Sequence, residues 1–221
     1  TLGSASTDME VIDELTLSGN TLYSGDADLT LHAVSLDTNS LIDSTGGTLK
    51  ITGAVDSSSE LGIPGTELEL FGNLAIAGTI TTGVDTTIKP NIYELDLSSS
   101  LIKLGGDLDL KGAVTDNATR VILQSDASLA NTSPTEIGSL DLNGYALTTS
   151  VDLEINDALT LDATGEQLMT GSSDLKLNDS LVISSGNLTS TSGTLSFDST
   201  ASLGAAGTID IQGGELQINE N

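Results

Sequence analysis

Cysteine and tryptophan are both absent from this chain, and histidine occurs once, at His32. Without a thiol there is no disulfide framework, no thiolate metal site and no cysteine nucleophile. Aromatic residues make up only 2% of the sequence. A core of irregular shape ordinarily uses rings to fill space, so this poverty points to a core of repeated aliphatic layers. Basic residues are scarce as well: six Lys and Arg stand against 32 acids, for a formal charge of −26. That sign excludes nucleic-acid binding through phosphates and charge-driven adhesion to an anionic bilayer. Strong self-repulsion keeps a protein soluble and is relieved by salt or divalent cations, and an extracellular, cell-surface setting is the expectation. No apolar run reaches about 18 residues, so membrane insertion as a helix is not expected. The opening TLGSASTDMEV has neither a basic n-region nor an apolar h-region and reads as mature or excised sequence. The hydrophobic fraction of 37% is too high for a charge-dominated disordered chain.

What the chain does have is a recurring phrase: aliphatic, any residue, aliphatic, any residue, glycine. It appears as LTLSG from Leu15, LKITG from Leu49, LELFG from Leu68, LAIAG from Leu74, LDLKG from Leu108, LDLNG from Leu140 and IDIQG from Ile209. One column runs Leu29, Leu49, Leu68, Ile88, Leu108, Leu129, Leu147, Leu168, Leu188, Ile209, in steps of 18–21 residues. A second runs Leu15, Leu36, Val55, Leu74, Leu95, Val114, Ile137, Leu153, Leu175, Leu195, Leu216. A third runs Leu22, Ile42, Leu61, Ile80, Ile102, Val121, Leu140, Leu159, Leu181, Leu203. Self-similarity at a fixed period of this size marks a solenoid. Columns six or seven residues apart leave room for three short strands per turn, with i and i+2 pointing inward. The fold expected is an all-β, right-handed parallel β-helix (β-solenoid) of about 20 residues per turn and about ten turns, roughly 45–50 Å long. Residues 1–14 read as a separate N-terminal segment, a cap or an exchanged strand, and 15–221 as one solenoid domain.

Corners carry Gly, Ser, Asn and Asp, as in SGN 18–20, TGG 45–47, FGN 71–73, LGG 104–106, SGN 185–187 and QGG 212–214; these residues turn sharply without strain. Pro64, Pro90 and Pro134 fall where the pattern is least regular, and 131–138 is the weakest stretch, an insertion or bulged corner. The leucine-rich repeat is the alternative, because Leu15, Leu17, Asn20 and Leu22 fit its core phrase, but that spacing does not recur. Outward positions support stacking in register. Asp28, Thr48, Glu67, Thr87 and Asp107 alternate acid with Thr, and Lys50, Glu69, Lys89 and Asp109 alternate in sign. Facing opposite charges stabilise paired strands by a few tenths of a kcal/mol, and like charges cost about as much.

Catalytic machinery is not legible. His32, in LTLHAV, is turned outward by the alternation of Leu29 and Leu31, and no triad assembles around it. A P-loop, a dinucleotide fingerprint and a GxSxG elbow are all missing. Polysaccharide hydrolysis would need paired acids with basic and aromatic companions. Arg120 is the single arginine, and Tyr23, Tyr93 and Tyr145 are isolated. No catalytic, cofactor-binding or metal-ligating residue is therefore assigned. Calcium is the one ion considered, with Asp37 above Asp56 and Asp152 above Asp174 as oxygen pairs, though no calcium motif is present. A cluster at Thr79, Thr81, Thr82, Thr86 and Thr87 invites an ice-ordering reading, but it does not repeat on successive turns. Sequons occur at Asn117, Asn131, Asn178 and Asn187.

The phrases LDLNGYALTT, GNLAIAGTITTG and GTIDIQGGELQIN resemble the rungs of bacterial parallel β-helix surface proteins, namely filamentous-haemagglutinin-type adhesins and autotransporter passengers. That resemblance implies an extracellular, extended, non-enzymatic body serving adhesion, a surface layer or a fibre. An uncovered strand edge at either end invites pairing, and IDIQGGELQINEN keeps the strand pattern. The partner expected is another copy of the chain, head to tail, with a cell-surface or polysaccharide ligand as the adhesin alternative. In the adhesin case the binding residues would lie near Pro64, Pro90 and 131–138.

Overall fold

A computed structural model describes residues 7–36, 40–52, 55–57, 60–63, 67–71, 74–76, 78–83, 86–91 and 93–219. Asp37, Pro64 and part of the FGN corner at 71–73 lie outside the described residues. The described residues hold 29 strands and no helix, which removes the leucine-rich-repeat alternative with its helical or 3₁₀ segments. Strands form where apolar and polar residues alternate: in Thr48–Ile51, Leu49 and Ile51 are buried while Thr48 and Lys50 stay half-exposed. Each strand is too narrow to cover a core alone. Stacking rung on rung through parallel pairing buries the inward row and closes about nine turns of solenoid.

Three faces result. The first begins with Met9–Leu17 and Leu29–Leu36 and runs through Thr48–Ile51, Glu67–Leu70 and Thr87–Lys89; a second sheet, from Leu108–Asp109 to Thr208–Ile211, carries it on. Another face stacks Thr21–Gly25 through Ser139–Asp141 and then Leu159–Leu161, Leu181–Ile183 and Ala201–Leu203. The remaining face is the most interrupted: among the described residues its middle holds the paired strands Leu74–Ala75 and Leu95–Asp96 and an isolated bridge from Asp96 to Val114, before five strands resume from Thr135–Ile137 to Glu215–Ile218. Met9–Leu17 pairs in parallel with Leu29–Leu36 across two faces, bending between Val11 and Glu14. Strand pairing therefore starts inside the segment set apart as 1–14.

The inward columns largely coincide with those read from sequence. Leu29, Leu49 and Leu68 pair in succession and are fully buried. Five register assignments shift by two residues. Leu15 and Val55 both pair with Val34 instead of Leu36; Leu147 pairs with Ala127 instead of Leu129; Leu153 pairs with Thr135 instead of Ile137; Leu181 pairs with Ala201 instead of Leu203. A two-residue slip keeps every side chain on its original side of the sheet, so alternation alone cannot detect it. Val114 departs differently. It is 40% exposed, and Ala113 takes the inward place, because Lys111 and Gly112 both adopt positive φ and turn the chain just before it.

One continuous cluster of buried residues runs from Leu22 to Phe197, almost wholly Leu and Ile. Phe197 is the one fully buried ring. Inward Ser and Thr at strand ends bind corner groups: Ser24 donates to Ser44 (2.8 Å), Thr86 to the Ile63 carbonyl (2.6 Å) and Thr119 to the Leu97 carbonyl (3.0 Å). The corners require glycine for two separate reasons. Gly47 has φ +70°, a conformation open to residues without a Cβ. At Gly193 the φ is ordinary, but a Cβ would overlap the Ser173 carbonyl of the rung below.

Leu168 sits between Leu147 and Leu188 in adjacent rungs and is fully buried. Leu168→Ala is expected to cost about 2–5 kcal/mol through lost burial and a cavity the stacked backbone cannot collapse into. Far-UV circular dichroism during chemical denaturation should show this as a lowered midpoint, whereas Thr148→Ala on the exposed side should barely move it.

Candidate functional site

The acids have a structural task. Asp8 Oδ1 accepts the Asp28 amide (3.1 Å), Asp28 the Thr48 amide (2.9 Å) and Asp107 the Ser128 amide (2.8 Å). Asp126 accepts the Ala146 amide (2.9 Å), Asp152 the Asp174 amide (2.9 Å) and Asp174 the Thr194 amide (2.6 Å). Each aspartate immediately precedes the first inward residue of its strand, and each staples its own rung to the next. The position repeats as Asp28–Leu29, Asp107–Leu108, Asp152–Leu153 and Asp174–Leu175. That recurrence is the signal through which sequence alone could have found the staples. Glu166 does the same from a buried site, accepting amides of Asp162 (2.6 Å), Ala163 (3.0 Å) and Gly144 (3.2 Å).

The alternating charges are also stacked as expected: Lys50 pairs with Glu69, which pairs with Lys89. The ion pair itself forms diagonally, from Lys89 Nζ to Glu67 Oε2 at 2.5 Å, and raises the Lys89 pKa chiefly through that hydrogen bond. Lys103 Nζ reaches Glu60 at 3.2 Å across two rungs, with the Thr81 hydroxyl between them donating to the same carboxylate at 2.6 Å. The Thr81 bond is the main reason Glu60 is held below the usual carboxylate range, with Lys103 assisting against the cost of burial. On the interrupted face, Lys176 Nζ binds Glu154 at 2.8 Å and stands 4.0 Å from Asp198. Lys176, then Asn178, pull Glu154 down, and Glu154 in turn raises Lys176.

The other residues singled out from sequence are dispersed. His32 is outward and meets Glu10 Oε1 at 2.9 Å. Arg120 is exposed and pairs through its backbone with Leu101 and Ser139. The Thr cluster does not form one outward face: Thr82 and Thr86 are buried, and Thr81 is committed to Glu60. Asp56 pairs through its backbone with Ser35, and Asp37 lies outside the described residues. Asp152 and Asp174 are joined through the staple itself. Among the described residues no three His, Cys, Asp or Glu side chains converge on a point where a metal could sit. Sequon side chains are in use within the fold, since Asn131 accepts the Gly112 amide at 2.6 Å and Asn178 donates to Glu154 at 2.7 Å. A shallow groove of about 170 Å³ lies beside Pro134, lined by Asp152, Leu153, Glu154, Asp174 and Lys176. It borders the irregular 131–138 segment.

The ends differ from the body. Leu203 (56% exposed), Leu216 (46%) and Ile218 (56%) in the last rungs are uncovered, as is Ile12 (75%) in the first. Met9, Val11, Leu15 and Leu17 at one end, and Ile209 and Ile211 at the other, are only partly buried against the core.

Two outcomes follow from the staples and the lysine pair. Asp174→Ala should cost about 1 kcal/mol by orphaning the Thr194 amide, while Asp174→Asn, which keeps an acceptor, should cost less in the same denaturation assay. Glu154 has a depressed folded pKa, so its contribution exists above the unfolded value near 4.5 and is lost as pH falls through the folded value. The stability difference between wild type and Glu154→Gln, at most about 1 kcal/mol for a pair this exposed, should thus be present at pH 7 and vanish on acidification. Taking the difference cancels the general relief of charge repulsion.

No protein-family model, curated protein or solved structure matches this chain. Of the expected resemblance, the structure shows the parallel β-solenoid of about nine turns.

Proposed function

We propose that this protein is a non-enzymatic, extracellular structural and adhesive rod that associates end to end into a fibre or surface layer. The observation that supports this reading is the long parallel stack itself, about nine turns with no helix among the described residues and with lysines engaged by neighbouring acids along its faces. The strand from Met9 to Leu17 keeps the same inward spacing as the rungs that follow it. A second copy placed head to tail would continue the internal pairing, with Met9 over Ile209 and Leu15 over Leu216. Covering each exposed Leu or Ile is worth about 1.5–3 kcal/mol before association costs. Head-to-tail contacts that do not close on themselves build filaments. The absence of cysteine and the high negative charge suit a surface exposed to ionic surroundings.

The groove beside Pro134 favours the adhesive component, since it lies where the strand pattern relaxes and offers Lys176 among carboxylates. A ligand rich in hydroxyls or cations is the class it would take.

Sedimentation velocity and electron microscopy at high protein concentration in about 0.5 M NaCl should show concentration-dependent rods longer than one protomer. Leu216→Asp combined with Ile218→Asp should leave folded monomers, as judged by unchanged circular dichroism. Monomers throughout for the wild type, or assemblies indifferent to these substitutions, would overturn the reading.

A further inference from the structure

We propose that an uncharged panel on one lateral face of the stack binds an uncharged polysaccharide. This rests on the adhesive component of the proposed function and gives it a surface apart from the groove beside Pro134. Four consecutive strands of the first face, Ala127–Ala130, Ala146–Thr149, Gln167–Gly171 and Asn187–Ser190, contain no charged residue. They do so in a chain whose formal charge is −26. The interrupted face carries Glu136, Glu154 and Lys176 over neighbouring strands.

Backbone pairing sets the outward side chains of these strands in two columns. Ser128, Thr148, Met169 and Thr189 stand in one; Ala146, Gln167 and Asn187 stand in the other. Neighbours in a column are about 4.8 Å apart, and the columns are about 6.6 Å apart along the strands. Thr148 is exposed and the rest are half-buried. Among the described residues the side chains of Thr148, Gln167, Asn187 and Thr189 have no hydrogen-bond partner. On the interrupted face the amides are committed: Asn156 donates to Glu136 at 3.0 Å and Asn178 to Glu154 at 2.7 Å. Tyr145, 36% exposed, directly precedes Ala146 and stands at the margin of the panel.

Hydroxyls and primary amides both donate and accept, as the hydroxyls of a sugar do. A panel of them exchanges water for a polysaccharide without stranding a polar group on either side. Charge selects the same partner. An anionic polymer is repelled by the net charge of the chain, and a cationic one is drawn to the faces that hold the acids. An uncharged polymer meets the panel with neither bias. Met169 and the Tyr145 ring add apolar surface for the C–H faces of the sugars. Because each rung repeats the same two outward positions, the panel suits a chain molecule laid along the stack.

Retention of the full chain on immobilised polymers tests this, with cellulose and dextran as uncharged probes and alginate and chitosan as charged ones. Wild type should be retained on an uncharged probe, with little change between about 0.01 and 1 M NaCl, since screening acts on charges. Thr148→Asp with Thr189→Asp should weaken that retention roughly tenfold, by charging the panel and removing two hydroxyls. Gln167→Ala with Asn187→Ala adds no charge, should weaken it by roughly threefold or more, and serves if the first pair fails to fold. Thr160→Asp with Ser202→Asp repeats the two-rung spacing on another face and should leave retention unchanged. Equal loss in that control would overturn the proposal by showing that total charge matters instead of the panel. Retention indifferent to both panel pairs but lost in Lys176→Ala would overturn it too, and would move adhesion to the groove beside Pro134. Retention on chitosan alone, lost at about 1 M NaCl, would overturn it in favour of the acidic faces. Slowed ice recrystallisation, abolished by the aspartate pair and without retention on cellulose or dextran, would overturn the ligand class. Retention on none of the four polymers would remove the adhesive reading with it.

Discussion

Backbone pairing between successive rungs is the interaction on which the rest of this molecule depends. Strand amides and carbonyls pair with the turn below and the turn above, so each residue is held one strand spacing from its counterpart about 20 positions away. From this the aliphatic core follows, since identical columns fill the tube without bulky rings. The corners follow too. They must turn within two or three residues and pass close over the corner beneath, which is why Gly47 and Gly193 are glycines for separate reasons. So does the use of the acids. An aspartate at the entry to a strand lies beside the amide stacked on it, and the six staples convert charge that would repel into bonds that tie rungs together.

A structure built this way concentrates its chemistry in two kinds of place. The lateral faces are ladders of polar side chains, and several of their lysines engage neighbouring acids: Lys89 with Glu67, Lys103 with Glu60, Lys176 with Glu154. The outermost described rungs are the other, where Ile12, Leu203, Leu216 and Ile218 are exposed.

Much of this was legible beforehand. The period of about 20, the three faces and the inward sense of Leu29, Leu49 and Leu68 come from spacing alone, as does the alternation of Lys50, Glu69 and Lys89. Register was less legible. Leu36, Leu129, Ile137 and Leu203 were each placed two residues from their true partners' level, because a shift of two preserves the side a residue faces. Val114 was placed inside because nothing in the local pattern announces that Lys111 would join Gly112 at positive φ. The Thr cluster looked like a surface feature until strand parity sent Thr82 inward. The aspartate staples were overlooked because a charge count treats all acids alike, although the recurring Asp–Leu step marked them.

The sequence by itself determined that this chain is a stack of aliphatic layers with polar outer faces, since a two-residue alternation repeated at a constant period permits little else. Tertiary structure alone decided which residues share a level, which acids staple and which pair. Those outcomes depend on contacts between residues some 20 positions apart, selected by corner geometry and backbone pairing, and a linear pattern carries the period of such contacts but not their phase.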